Sequence, residues 1–236
     1  LPGDQHVDVH LVLLVHRLAH EAQIGDEVLH LAQADELLEQ LGVADEPRVR
    51  VVNPVAEGES SVRRSVVPSL LGRVELNRRH RDEVRLFEVG KGYQPEHTDE
   101  RGQPREVHEA GLVLAAPRVK QAAFNAGSRS RLQGVVEDLL KALDVFNAAP
   151  LKWRVAAEAD QVPGWANPGR AQLLVCGEGE EELTLCLLAE LDPGRARPLG
   201  LVEELSSDVA AAAISLDVIL SLPKAPASYR PLPKFP

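Results

Sequence analysis

An α+β fold, an antiparallel sheet with helices packed on one face, is what this 236-residue sequence predicts. Three observations carry that reading. Strand-like runs follow one another through turns instead of alternating with helices. One clean amphipathic helix, Leu132 to Leu143, stands among them. A composition of 44% hydrophobic and 26% charged residues describes a folded chain with a sizeable core.

Taken in order, Leu11, Leu14, Val15 and Leu18 recur as the apolar stripe of a first helix. A second helix is expected over Ala34 to Leu41, with Leu37, Leu38 and Leu41 inward and Gly42 as its stop. Arg48 to Val52 reads as a short strand, closed by the turn signal Asn53-Pro54. Ser60 or Ser61 is expected to cap a helix bearing Val66, Val67, Leu70, Leu71 and Val74, in which Pro68 requires a kink or a break. Val84 to Val89 and Val107 to Ala115 read as the strands of an antiparallel hairpin, with Gly90 to Arg105 as a long polar loop.

After the helix at Leu132 come strands at Leu151–Ala156, Ala171–Val175 and Leu183–Glu190, the last two joined by the turn Gly177-Glu178-Gly179-Glu180. Val209 to Leu222 gives a final strand or a strand–helix pair, and Tyr229 to Pro236 is proline-rich.

A net charge of −10 argues against a general nucleic-acid coat, which needs excess Lys and Arg to displace counterions. No run approaches 18 apolar residues, so no membrane span is expected, and without a secretory or transit pattern the cytoplasm is the expected compartment. Methionine is absent even at position 1, so the chain is expected to begin inside a longer reading frame. Residues 1–46 carry ten acids against Arg17 alone and form an acidic, His-bearing helical segment; 47–236 form the main module.

Five of the eight histidines fall in the first 30 residues. On a helix His6, His10, His16 and His20 span one arc of roughly 120°. Such pairs can hold zinc, but the same arc is what a solvated polar face looks like, and no catalytic glutamate accompanies them. Cys176 and Cys186 flank a turn with no CxxC and read as core thiols. No G-x-S-x-G, Walker A or G-x-G-x-x-G motif occurs. Between Arg63 and Arg85 seven arginines face three acids. Arg63, Arg64, Arg78, Arg79 and Arg81 therefore stand as candidates for contact with an acidic partner or phosphate, or for internal pairing with the acidic N-terminal segment.

At this cluster a family resemblance emerges. Asn53-Pro54 followed by Glu59 to Leu71 (ESSVRRSVVPSLL) resembles the "NP…S-x-L-R-x-S-L-L-P-G-L-L" run of the phenylalanyl-tRNA synthetase β subunit. Asn77 falls where that family has an Asn after the helix, and Leu86-Phe87-Glu88-Val89-Gly90 is similar to its "L-F-E-I-G" strand. Gly134 to Leu140 resembles "K-G-x-x-E-x-L-L", Trp165 to Ala171 "L-H-P-G-R-S-A", and Leu188 to Pro193 "G-E-L-H-P". The ordered set covers 53–236. Asn167 and Asp192 replace the family's two H-P histidines, and Ser69 replaces its Gly.

The resemblance implies a class II aminoacyl-tRNA synthetase-like antiparallel sheet flanked by helices, in a module without catalytic residues. That module would pack against the catalytic α subunit, with tRNA a partner of the assembled enzyme. ATP and magnesium are implied for the holoenzyme and not for this module. The end of the chain would lead into a further C-terminal domain. Arg85-x-x-Glu88 sits where a class II strand places an Arg/Glu pair and reads as a structural remnant, with Asn53, Pro54, Asn77, Pro168, Gly169 and Arg170 as structural motif residues. Two rivals remain: a stand-alone paralogue that binds metal through the N-terminal histidines, and a damaged gene product.

Overall fold

A computed structural model describes residues 32–54, 57–117, 127–177, 179–201 and 207–222. Helix α1 (Asp35–Gln40) forms where expected, with two acids in its first turn, where the helix dipole favours them. It ends at Gly42, whose φ of +67° suits glycine best. Leu38, Leu41 and Val43 are buried in the core shared with the rest of the chain. The expected helix at Leu11–Leu18 lies outside the described residues.

The strand expected at Arg48–Val52 is reduced to one bridge, Arg50 to Ser61, with two flanking backbone bonds. The pair that does form is β1 (Ala32–Gln33) against β2 (Ser61–Val62). Ser61 therefore belongs to a strand and caps nothing. Helix α2 (Val67–Leu71) starts later than expected, so Pro68 falls in its first turn, where a missing N–H breaks no helical bond. No kink is needed. The helix stops at Gly72, and α3 (Val74–Arg78) follows as a separate turn.

The largest correction is the hairpin. Strands β3 (Val84–Thr98) and β4 (Pro104–Pro117) extend through the stretch expected to be loop, leaving only residues 99–103 as the connection. Asp99 holds that turn by accepting from the N–H groups of Arg101 and Gln103. The outer ends of both strands are exposed, so they carry polar side chains and resemble a loop in composition.

Helix α4 (Ser128–Ala142) follows, anchored by Asp208, whose carboxylate accepts from Ser128 N–H at 2.6 Å. Then come α5 (Val145–Ala148), β5 (Leu151–Val155), β6 (Ala166–Cys176), β7 (Leu183–Leu191), α6 (Pro193–Ala196), β8 (Ser207–Ser215) and α7 (Leu216–Ser221). Strands β3 to β8 form one antiparallel sheet in the order β3-β4-β8-β7-β6-β5.

Helices cover both faces, not one. Phe87, Leu112, Leu114, Ala212 and Ile214 meet α4, α5 and α7 on one side. Leu86, Val113, Ala115 and Ala211 meet α1, α2, α3 and Trp165 on the other. Burial on both sides explains why Ala110 to Ala116 is continuously apolar where a half-exposed strand would alternate.

Packing on the second face is close enough to dictate glycine. A Cβ at Gly92 would stand 1.9 Å from the Arg64 carbonyl oxygen, whereas one at Gly134, on the exposed side of α4, would meet nothing within 4 Å. Gly92→Val is therefore expected to destabilise by about 1–3 kcal/mol through overpacking. Gly134→Ala is expected to stabilise by about 1 kcal/mol through helix propensity. Urea denaturation of the two variants beside the parent checks both signs.

Candidate functional site

The segment Arg63–Val66 lies across β3 and β4 on this second face. Tyr93 N–H donates to the Arg63 carbonyl at 2.9 Å, and Arg63 Nε donates to the Lys91 carbonyl at 2.7 Å. The crossing needs a floor without side chains. Gly90 lies under the Arg63 guanidinium and Gly111 under Val66, and a Cβ at either would come within 2.4 Å of those side chains.

On that floor Arg63 meets the Glu88 carboxylate in an ion pair, with both side chains at 3% exposure or less. A second acid, Glu109, stands in the same interior. Its carboxyl accepts from Ser65 Oγ at 2.9 Å and from Val66 N–H at 3.2 Å. Burial raises Glu109 from 4.5 to about 7, outweighing those hydrogen bonds and the pull of Arg63, and the Glu88 charge adds to the rise. One guanidinium thus serves two carboxyls, and the second keeps its proton up to near neutral pH.

The five candidate arginines separate. Arg63 is interior. Arg64 is tied to Glu96 by two hydrogen bonds, to Glu46 at 3.5 Å and to the Pro47 carbonyl. Its hydrogen bonds hold the Glu96 carboxyl down to about 2. Arg79 pairs with Glu75 within its own helix, Arg78 donates to the Arg81 carbonyl, and both Arg79 and Arg81 are exposed. Nearby Leu76 is 49% exposed. Internal pairing accounts for Arg63 and Arg64 and engages Arg79 through Glu75, while Arg78 is half-buried and Arg81 is exposed.

Arg85 and Glu88 do not form a pair. Three residues apart on a strand, they point to opposite faces. Arg85 binds Glu83, which also binds Arg131, while Glu88 faces Arg63. Asn77 donates to the Arg73 carbonyl and its own carbonyl receives the N–H groups of His80 and Arg81, fixing the turn after α3. Pro168, Gly169 and Arg170 are exposed where the β6–β7 register shifts, and Asn167 accepts from Gly169 N–H there. Asn53 and Pro54 lie in an exposed turn. Cys176 and Cys186 are both buried, and burial pushes the Cys186 thiol up. His6, His10, His16 and His20 lie outside the described residues. Among the described residues no three His, Cys, Asp or Glu side chains are grouped to hold a metal ion.

Glu109 and Ser65 were not among the candidates. A signal existed: Glu109 is a charge directly abutting the apolar run Ala110–Ala116, and a buried acid at such a position needs a partner.

A family model described as the phenylalanyl tRNA synthetase beta chain CLM domain matches residues 27–214. The phenylalanine–tRNA ligase beta subunit of Anaeromyxobacter dehalogenans (strain 2CP-C) is 32% identical over 190 residues, covering 78% of this chain and 22% of that protein. Its counterpart from Streptomyces avermitilis is 30% identical over 189 residues, covering 71% of this chain and 22% of that protein. The chain spans about a fifth of the length of these relatives. Giardia lamblia prolyl-tRNA synthetase in complex with prolyl-adenylate matches with a TM-score of 0.65 over 92% of this chain and 46% of that one. At 11% identity that is a likeness of fold alone. The family match bears out the resemblance read from Asn53 as far as residue 214 and extends it back to residue 27.

Proposed function

Because the chain belongs to the phenylalanyl-tRNA synthetase β-chain CLM-domain family, we propose that it is a non-catalytic module supporting the charging of tRNA with phenylalanine by packing against a catalytic α subunit. The carrying observation is the occupied sheet face: the chain's own Arg63–Val66 lies on the glycine floor and consumes the Glu88 carboxylate and Glu109 carboxyl. The described residues group no acidic trio for a metal ion, and Arg63 and Arg64 are already engaged by carboxylates. ATP and magnesium would be held by the α subunit, with tRNA a partner of the assembly.

No helix among the described residues is long and apolar enough to cross a membrane. The cytoplasm, where tRNA is charged, is the proposed compartment. The acidic segment 1–46 and the module 47–236 are proposed to act together, since Leu38, Leu41 and Val43 share the module's core. The matches do not favour the metal-binding paralogue.

The subunit contact is proposed at the end of α3, where half-buried Arg78 and exposed Arg79 and Arg81 follow the exposed Leu76 in sequence. Apolar contact flanked by cations suits an acidic-rimmed partner surface. Reversing all three arginines to glutamate is expected to weaken co-assembly with an α subunit about tenfold or more at low salt, with the deficit shrinking toward 0.5 M salt. Size-exclusion chromatography with light scattering reads the outcome. Unchanged assembly in the triple variant refutes this contact.

A further inference from the structure

Beside the buried cluster, a cavity of about 370 Å³ opens between the neighbouring ends of β4, β7 and β8 and the segments that cross them. That is the lower end of the range for small-molecule pockets, roughly 300–1,000 Å³. Its two ends differ in chemistry. At one end stand Arg48, Arg64, Arg105 and Gln94, the last directly across from Arg105 in the β3–β4 ladder. Glu46 answers Arg48, and Glu96 answers Arg64. Arg105 and the Gln94 amide have no side-chain partner among the described residues. Arg48, only 3% exposed at its side chain, keeps a buried Nε with no acceptor.

The other end is walled by Trp165, Leu187 and Ala213 and closes on the Ser65–Glu109 hydrogen bond. Arg105 and Glu109 lie four residues apart on the same side of β4, so the two ends are separated by about 13 Å.

We propose that this cavity binds a small organic anion with an apolar body. Arg105 and the Gln94 amide receive the anionic group, and Trp165 and Leu187 receive the body. Of the acids lining the cavity, Glu46 is engaged by Arg48, Asp217 by His108 and Glu109 by Ser65 and Val66, which leaves Arg105 as a guanidinium without an answering acid among the described residues and favours an anion. The apolar end gives a bare inorganic anion nothing to cover it. The inference is independent of the assembly reading, since nothing in it involves the arginines of α3.

The test uses the whole chain and three matched probes, hexanoate, hexylammonium and acetate, followed by saturation-transfer NMR and calorimetry. Hexanoate is expected to saturate in the millimolar range, acetate to bind at least about tenfold more weakly, and hexylammonium not to saturate. Arg105→Gln alters an exposed side chain without a described partner and is expected to leave the melting temperature unchanged. It should weaken hexanoate about tenfold, the usual order for losing a charge-assisted contact. Equal binding of hexanoate and hexylammonium overturns the proposal, as does acetate matching hexanoate. So does an Arg105→Gln variant with unchanged hexanoate affinity, or the absence of any saturable hexanoate binding.

Discussion

Arg63→Leu is expected to destabilise the fold by about 3–5 kcal/mol, among the largest single-residue effects in the chain. The lost Coulomb attraction is the smaller part. With the guanidinium gone, Glu88, at 0% exposure, loses its ion-pair partner, and keeping its charge buried becomes costlier than taking up a proton. The deficit should therefore grow as pH rises and protonation becomes costlier. Glu88→Leu alone should cost less, because Arg63 keeps the Lys91 carbonyl and has Glu109 nearby to ionise in place of Glu88. The double replacement should cost much less than the two losses added, since no buried charge then remains unpaired. A denaturant-based double-mutant cycle measures this. Single losses that simply add would show that the ion pair is not a coupled unit.

Stability is also expected to fall by about 3 kcal/mol as pH rises from 4.5 to 7, through Glu109. The folded state holds the Glu109 proton up to about 7, whereas an unfolded glutamate releases it near 4.5. Within that window the unfolded state gains by ionising and the folded state does not. Below 4.5 the contribution is complete; above 7 it is gone. Glu96 and Asp160, each held down to about 2 by an arginine, act in the opposite direction, and their contribution is lost only as pH falls below about 4.5. The parent should thus be most stable near pH 4.5–5. Glu109→Gln, which keeps a neutral acceptor for Ser65 and Val66, should flatten the curve between pH 5 and 7. Urea midpoints across pH 4–8 decide the matter, and equal slopes in parent and variant would rule out a proton on Glu109.

The architecture was legible where a periodic pattern coincided with a buried face. Leu132, Val136, Leu139 and Leu140 announced α4, and the turn signal Gly177 to Glu180 between two strand-like runs announced β6 and β7. It was not legible where a strand runs beyond its cover: the outer ends of β3 and β4 are wet, so their residues are polar and composition mimics a loop. The covering of both faces was written in Ala110–Ala116, a run too continuously apolar for a half-exposed strand, but one-sided packing was the reading taken.

At the site, residue types alone pointed to the arginine cluster and could not divide it. Arg63 and Arg64 are adjacent, and strand-like alternation sends one inward to Glu88 and the other outward to Glu96. Glu109 escaped notice because its role depends on Gly90 and Gly111, which make room for the chain above it, and that close approach is tertiary.

The position of β8 has a consequence for how the chain is made. β8 is the last strand among the described residues and lies in the middle of the sheet, joining β4 to β7. Until residues 207–215 leave the ribosome, the sheet exists only as two separate fragments, the β3–β4 hairpin and the β5–β6–β7 meander. Each presents an unpaired inner edge, and unpaired edges template pairing with other chains. Folding cannot complete from the N-terminus onward; it waits for an alanine-rich strand, Ala210–Ala213, slim enough to slot between edges already flanked by helices. Two sticky edges therefore persist from the emergence of these fragments until β8 follows, and aggregation during expression should respond to β8 more sharply than to any other described strand.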